Sequence, residues 1–249
     1  MEFTKENLKL ENAIDKEWII TNGIGGYSAS TIIGANTRKY HGLLIAPLTP
    51  PARRVLILSK LDECLEIKGE KYNLYTNVGK KYTSNGYIYQ ESFEKEYMPV
   101  FKYKVGNTQI TKIVCMEYGK NTVGVYYKIK NGGEKSKLTL APIINFRDFH
   151  SMSENREFKL KQEINNTKVR IEIDNNTQTP IYFNISEGSY IKHENDTFRN
   201  MYYIEEEKRG FSSEENHSVP GIYEIEIPAN VEKEISFVCS LDANIEQLH

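Results

Sequence analysis

A period-two alternation of apolar and polar residues, repeated through the middle and the end of the chain, restricts the fold more than any other feature. Phe101, Tyr103 and Val105 alternate with Lys102 and Lys104, and Val123, Val125, Tyr127 and Ile129 with Thr122, Lys128 and Lys130. Val169, Ile171 and Ile173 alternate with Lys168, Arg170, Glu172 and Asp174, and Tyr223, Ile225 and Ile227 with Glu224 and Glu226. Successive side chains of a strand point to opposite faces, so each run reads as a strand with one face buried and one in water. Turn-forming residues fall between the runs, at Lys68-Gly69, Asn85-Gly86, Gly106-Asn107, Asn131-Gly132-Gly133, Asn175-Asn176 and Pro228-Ala229-Asn230. The pattern predicts a chain of antiparallel hairpins. Helical spacing is confined to a short stretch near Lys5 to Asn12, which disfavours parallel βαβ units. The expected fold is all-β, a large antiparallel two-sheet β-sandwich with little helix, because the strands are too numerous for a small immunoglobulin-like sandwich. No internal repeat and no Pro/Gly/Ser-rich linker divides the sequence, so a single domain over residues 1–249 is expected, with local breaks at Gln178–Pro180 and Glu205-Glu206-Glu207.

Composition then limits function. Lys and Arg total 32 against 34 Asp and Glu, a formal charge of −2, so no summed field is available to hold nucleic acid or an anionic membrane face. The apolar runs Leu43–Leu48 and Val55–Leu58 are far shorter than the roughly 18 residues of a spanning helix. The start, Met1-Glu2-Phe3-Thr4-Lys5-Glu6-Asn7, lacks the basic and apolar regions of a signal peptide, which implies a cytoplasmic protein. Cys64, Cys115 and Cys239 lie outside any Cys-x-x-Cys pair and read as core residues in a reducing compartment. The five histidines, at 41, 150, 193, 217 and 249, show no metal-ligand spacing, and neither a metal nor a cofactor is expected. Gly23-Ile24-Gly25-Gly26 lacks the third glycine and following helix of a dinucleotide motif, and no P-loop occurs, so these glycines read as a tight hairpin turn.

Three polar stretches remain. Asn36, Arg38, Tyr40 and His41 place an amide, a guanidinium, a phenol and an imidazole in one short segment, a donor and acceptor set suited to a neutral polyhydroxylated ligand. Alternatively, Arg38 pairs with a carboxylate and Tyr40 covers a sheet face. Asn145-Phe146-Arg147-Asp148-Phe149-His150 follows the strand read at Leu138–Ile144, with Asp148 and His150 on alternate positions able to share a face. Tyr202 to Phe211 is a charge run, either a solvated face or a buried loop contact at Arg209-Gly210. No serine or cysteine has nucleophile context, and a glycosidase carboxylate pair cannot be selected from spacing among so many acids.

These stretches, in this order, resemble the N-terminal domain of bacterial and archaeal glycogen debranching enzymes of the amylo-α-1,6-glucosidase type. The residues that carry the resemblance are Glu17-Trp18, Thr21 to Tyr27, Gly34 to Leu44, Pro50-Pro51, Arg54-Val55-Leu56, Met116 to Gly119, Asn121-Thr122-Val123, Arg147 to His150, Arg209-Gly210 and Pro220-Gly221. It runs from about Glu17 to about Leu241, with Phe198 standing where a tryptophan is expected and polar residues around Glu214 to His217. It implies a β-supersandwich ahead of a helical (α/α)6-barrel catalytic domain that holds the hydrolytic acids, the chain ending where the barrel would begin. The implied function is an accessory domain that packs on the barrel and helps shape its cleft for α-glucan, with no catalytic residue of its own. Asn22, Asn36, Arg38, Tyr40, His41, Arg147, Asp148 and His150 are then candidates for a cleft rim or an interdomain contact. Two rival readings remain open, a domain with 4-α-glucanotransferase activity and an independent glycogen-binding module.

Overall fold

The computed structural model describes residues 1–174 and 176–245. Asn175 of the turn read at Asn175-Asn176, and the terminal residues 246–249 including His249, lie outside the described residues. The described strands are β1 (Glu2–Thr4), β2 (Glu17–Thr21), β3 (Tyr27–Thr31), β4 (Gly42–Thr49), β5 (Ala52–Ile67), β6 (Glu70–Asn73), β7 (Gln90–Lys95), β8 (Pro99–Val105) and β9 (Thr108–Met116). They continue as β10 (Thr122–Asn131), β11 (Ser136–Asp148), β12 (Leu160–Asn165), β13 (Lys168–Ile173), β14 (Asn176–Ile185), β15 (Ser189–Tyr202), β16 (Glu214–Ile227) and β17 (Val231–Ser240). Among the described residues helix is limited to α1 (Leu10–Ala13), α2 (Ile204–Glu207) and two short 3-10 turns. The strands form two antiparallel sheets of nine and eight strands, the all-β sandwich that the alternation predicts.

The nine-stranded sheet runs β1-β7-β8-β9-β10-β17-β14-β13-β12, and the eight-stranded sheet runs β15-β16-β11-β5-β4-β3-β2 with β6 paired to β5. In β10, Val123, Val125, Tyr127 and Ile129 are buried, and burying each such side chain contributes about 1.5–3 kcal/mol. On the facing sheet Leu138 and Leu140 of β11 and Leu61 and Leu65 of β5 close the same core. The sheets are also tied by polar groups: Glu63 of β5 accepts a hydrogen bond from Tyr127 Oη at 2.6 Å and pairs with Lys112 of β9 at 2.5 Å.

Some local expectations shift. The helical stretch near Lys5 to Asn12 resolves into a 3-10 turn at Lys5–Asn7 and α1. Gln178–Pro180 falls within β14 rather than breaking it, because Ile173 pairs with Asn176 while Ile171 pairs with Ile181, and that register shift takes up the intervening residues. Glu205 to Glu207 form the single turn of α2. The strand ahead of Asn145 runs four residues further than its apolar stretch, to Asp148, so Asn145 and Arg147 sit inside β11 and point into the protein.

Candidate functional site

The loops at one end of the eight-stranded sheet gather the polar segments. Gly23 and Gly25 turn the β2–β3 hairpin with φ of +80° and +99°, as the turn reading requires. Asn22 secures it: its Oδ1 accepts the Gly26 and Ile24 amides at 2.8 and 3.2 Å, and its Nδ2 donates to Lys120 O at 2.8 Å and Asn121 Oδ1 at 3.3 Å. Asn36 Nδ2 donates to Ser59 O and Oγ at 3.1 and 3.2 Å, and its Oδ1 accepts from Ser30 Oγ at 2.9 Å. Both amides are buried and engaged internally, so they shape the backbone of this end.

Arg38 and His41 converge on Glu17. Arg38 Nε donates to Glu17 Oε1 at 2.6 Å, and its Nη2 lies 3.7 Å from Glu205 Oε2. His41 Nδ1 accepts the Thr37 amide at 3.0 Å, which leaves Nε2 facing Glu17 Oε1 at 3.5 Å. The His41 hydrogen bond, followed by the Arg38 guanidinium, outweighs burial and holds the Glu17 carboxyl at about 2. Glu205 in turn donates its amide to Thr37 O at 3.0 Å, docking α2 on the same segment.

Arg147 anchors a second network. Its Nε lies 2.9 Å from each oxygen of Glu215 and its Nη2 2.8 Å from Glu215 Oε1, both side chains being almost wholly buried. The same guanidinium donates to Lys39 O at 2.7 Å and to Asp148 O at 3.2 Å. Glu215 also accepts from Tyr203 Oη at 2.6 Å and from Ser153 N and Oγ at 2.8 and 2.9 Å, with His217 Nε2 at 3.3 Å. Burial favours the protonated acid, but the His217 and Arg147 interactions overcome it and hold Glu215 well below the usual carboxylate range. Asp148, by contrast, is exposed, and its Oδ1 accepts the backbone amide of His150 at 2.8 Å rather than meeting the imidazole.

This scaffold displays a strip of rings. Tyr40 Oη and His150 Nδ1 are 3.2 Å apart with their rings edge to face, and Phe149 packs on both. Arg54 lies over Phe149 at 5.4 Å and donates to Gly25 O at 2.6 Å. Lys39 bridges the rings of Tyr40 and Phe211 at 5.3 and 5.9 Å. Phe211 is 62% exposed, and Tyr118, whose ring lies against Gly23 where a Cβ would come within 2.4 Å, is 84% exposed.

Of the eight residues singled out in the sequence, Arg38 and His41 meet at Glu17, and Tyr40 and His150 meet at the surface. Arg147 holds Lys39 beside them, whereas Asn22 and Asn36 act from within the loops. Glu17, Glu205, Glu215, Tyr203 and Ser153 were not legible as partners, because β2–β3 and β15–β16 pairing, the loop after β11 and the folding back of α2 bring them in from distant segments. The exposed rings Tyr118 and Phe211 and the half-buried Phe149 were visible only as members of their motifs. Among the described residues no group of three or more His, Cys, Asp or Glu is arranged to hold a metal ion, and no helix is long and apolar enough to cross a membrane.

The sequence model of the family described as glycogen debranching enzyme N terminal matches residues 16–233. The chain belongs to that family. The match takes in Glu17, Arg38, Tyr40, Arg147 and Glu215 together. No curated protein sequence matches the chain. Among solved structures, a bacterial glucoamylase complexed with acarbose is 15% identical with a TM-score of 0.40, covering 97% of this chain and 32% of its own. A human-microbiome protein described as a kojibiose phosphorylase is 9% identical with a TM-score of 0.36, covering 92% of this chain and 26% of its own. A polysaccharide lyase is 10% identical with a TM-score of 0.35, covering 74% and 25%. This member of the family thus spans a third or less of the length of each of those chains, and at such TM-scores the likenesses support no functional argument.

Proposed function

We propose that this chain is one β-supersandwich domain, the N-terminal part of a longer cytoplasmic glycogen-debranching enzyme, and that it packs on a helical catalytic barrel and helps shape the cleft for α-glucan. Family membership supports the enzyme class, and the observation that carries the accessory role is the ring strip from Tyr118 through Phe149, Tyr40 and His150 to Phe211. Tyr118, His150 and Phe211 are exposed and Tyr40 and Phe149 half-buried, yet the groups beneath them are locked in internal ion pairs and hydrogen bonds, which suits a preformed surface for a partner domain or a sugar. Glu17, held at about 2, and the buried Glu215, held below the usual carboxylate range, are both internally paired and poor proton donors near neutrality, so neither suits the general-acid role. The debranching reading assigns that role to the barrel.

The test is hydrolysis of a branched limit dextrin by this chain, by the separately expressed catalytic part, and by the two mixed. The reading expects an inert chain that raises its partner's activity, with Tyr40→Ala lowering that gain while the variant still folds. Turnover by the chain alone, or a partner indifferent to its presence, overturns it.

A further inference from the structure

The outer face of the eight-stranded sheet carries a groove of about 570 Å³ that shares no lining residue with the ring strip. Its floor follows from register. Cys64 and Asp62 of β5 pair with Thr139 and Ala141 of β11, opposite in direction to the core-facing Leu138 and Leu140. One wall is the segment 74–86, and the other is Phe198 of β15.

That wall is built rather than loose. Val78 bridges to Thr83, and the Gly79 amide donates to Tyr82 O at 2.8 Å, closing a tight turn. Ser84 N donates to Asn77 O at 2.9 Å, and Asn77 N to Ser84 Oγ at 2.7 Å. The turn is pinned to the floor by buried groups: Lys60 Nζ donates to Thr76 O at 2.8 Å and lies 3.1 Å from Asp62 Oδ1, while Asn77 Nδ2 donates to Asp62 Oδ2 at 2.7 Å. At its tip Lys80 pairs with Glu214 at 3.0 Å and Glu207 at 3.2 Å. Tyr82 rests on Gly79, where a Cβ would come within 2.7 Å of the ring, and still is 51% exposed. A flat ring backed by main chain and open on its other side is a stacking platform, and Tyr75 and Phe198 add apolar surface beside it.

The chemistry of the lining selects the ligand. Asp62 is neutralised by Lys60, which leaves Lys71 of β6 as a single cation in the lining, short of the cluster of cations that would hold a phosphate. Beside it stand hydroxyls and amides of Thr83, Ser84, Thr139 and Asn73 around aromatic rings. A few polar groups of fixed geometry set among apolar surface, in a groove of several hundred Å³, suit a neutral ligand that has both hydroxyl edges and apolar faces. We infer that this groove is a second saccharide-binding site, stacking a sugar ring on Tyr82 between the 74–86 turn and Phe198, separate from the surface proposed to meet the catalytic barrel. The choice of α-glucan as its saccharide rests on the debranching reading above.

The probe is maltoheptaose, titrated calorimetrically into the 249-residue chain and its Tyr82→Ala, Phe198→Ala and Tyr97→Ala variants, each first checked by circular dichroism and thermal melting. Tyr97, exposed in the β7–β8 turn of the other sheet, serves as the control, so wild type and Tyr97→Ala are expected to bind alike, and Tyr82→Ala to weaken binding about tenfold, the scale of one lost stacking contact. Phe198→Ala, on the opposite wall, is expected to weaken it as well. Absence of binding to the wild-type chain overturns the inference, as does binding that Tyr82→Ala leaves unchanged or that Tyr97→Ala removes. Limit-dextrin complementation is read separately: a chain that still stimulates its catalytic partner but binds no maltoheptaose refutes the second site alone.

Discussion

Removing the Arg147 guanidinium is the perturbation whose size follows most directly from the structure. In Arg147→Met the Glu215 carboxylate keeps its burial but loses three N–O contacts of 2.8–2.9 Å. Breaking a buried ion pair on one side costs about 3–5 kcal/mol, since the other charge is stranded. Tyr203 Oη and Ser153 N and Oγ still donate to Glu215, which places the loss near the lower end, about 3 kcal/mol. For a chain of this size that lowers Tm by about 6–12 °C. Urea unfolding should show a reduced midpoint at unchanged slope, because the area exposed on unfolding is the same. The double variant Arg147→Met/Glu215→Gln removes the stranded charge and is expected to be more stable than Arg147→Met alone. A single-variant loss under about 1 kcal/mol, or a double variant no better than the single, would refute the claim that this pair holds the end of the sandwich together.

Acid should weaken the same end. Glu17 and Glu215 have folded values below their ordinary 4.5, so the stability they confer is complete above about pH 4.5 and is lost as pH falls, through about 2 for Glu17. Urea midpoints measured between pH 6 and pH 2.5 should fall more steeply in wild type than in Glu215→Gln, and parallel profiles would contradict the assignment. Asn22→Ala removes four hydrogen bonds, two within the β2–β3 turn and two that join it to the β9–β10 turn, for a loss of about 2 kcal/mol or more in denaturant titration; an unchanged midpoint would show the joint to be dispensable. Lys60→Met strands Asp62 beneath the outer groove and is expected to cost about 3 kcal/mol and to speed amide exchange across 74–86, whereas protection equal to wild type would mean that the turn holds without its pin.

The strand alternation was readable because each half-buried strand carries its own two-residue period, and the turns lay where Gly and Asn supply the required backbone. Asp148 shows where that reading stops. The apolar run ends at Ile144, yet β11 continues because Asn145 and Arg147 find buried partners that a hydropathy pattern cannot display. The candidate site was legible to the same extent. Arg38, Tyr40 and His41 stand close in sequence, and their segment could be singled out, but the carboxylate that engages Arg38 lies 21 residues away and the ring that meets Tyr40 lies 110 away.

By itself, the sequence determined an all-β chain of antiparallel hairpins, its family, and the segments that would carry polar chemistry, because alternation, turn residues and motifs are all local properties. Tertiary structure alone decided which acid neutralises which cation, which rings stay open to solvent, and that a rigid turn and a strand about 116 residues further on enclose a groove between Tyr82 and Phe198. Those outcomes depend on sheet order and register, which fix distances between residues remote in the chain and which no local pattern encodes.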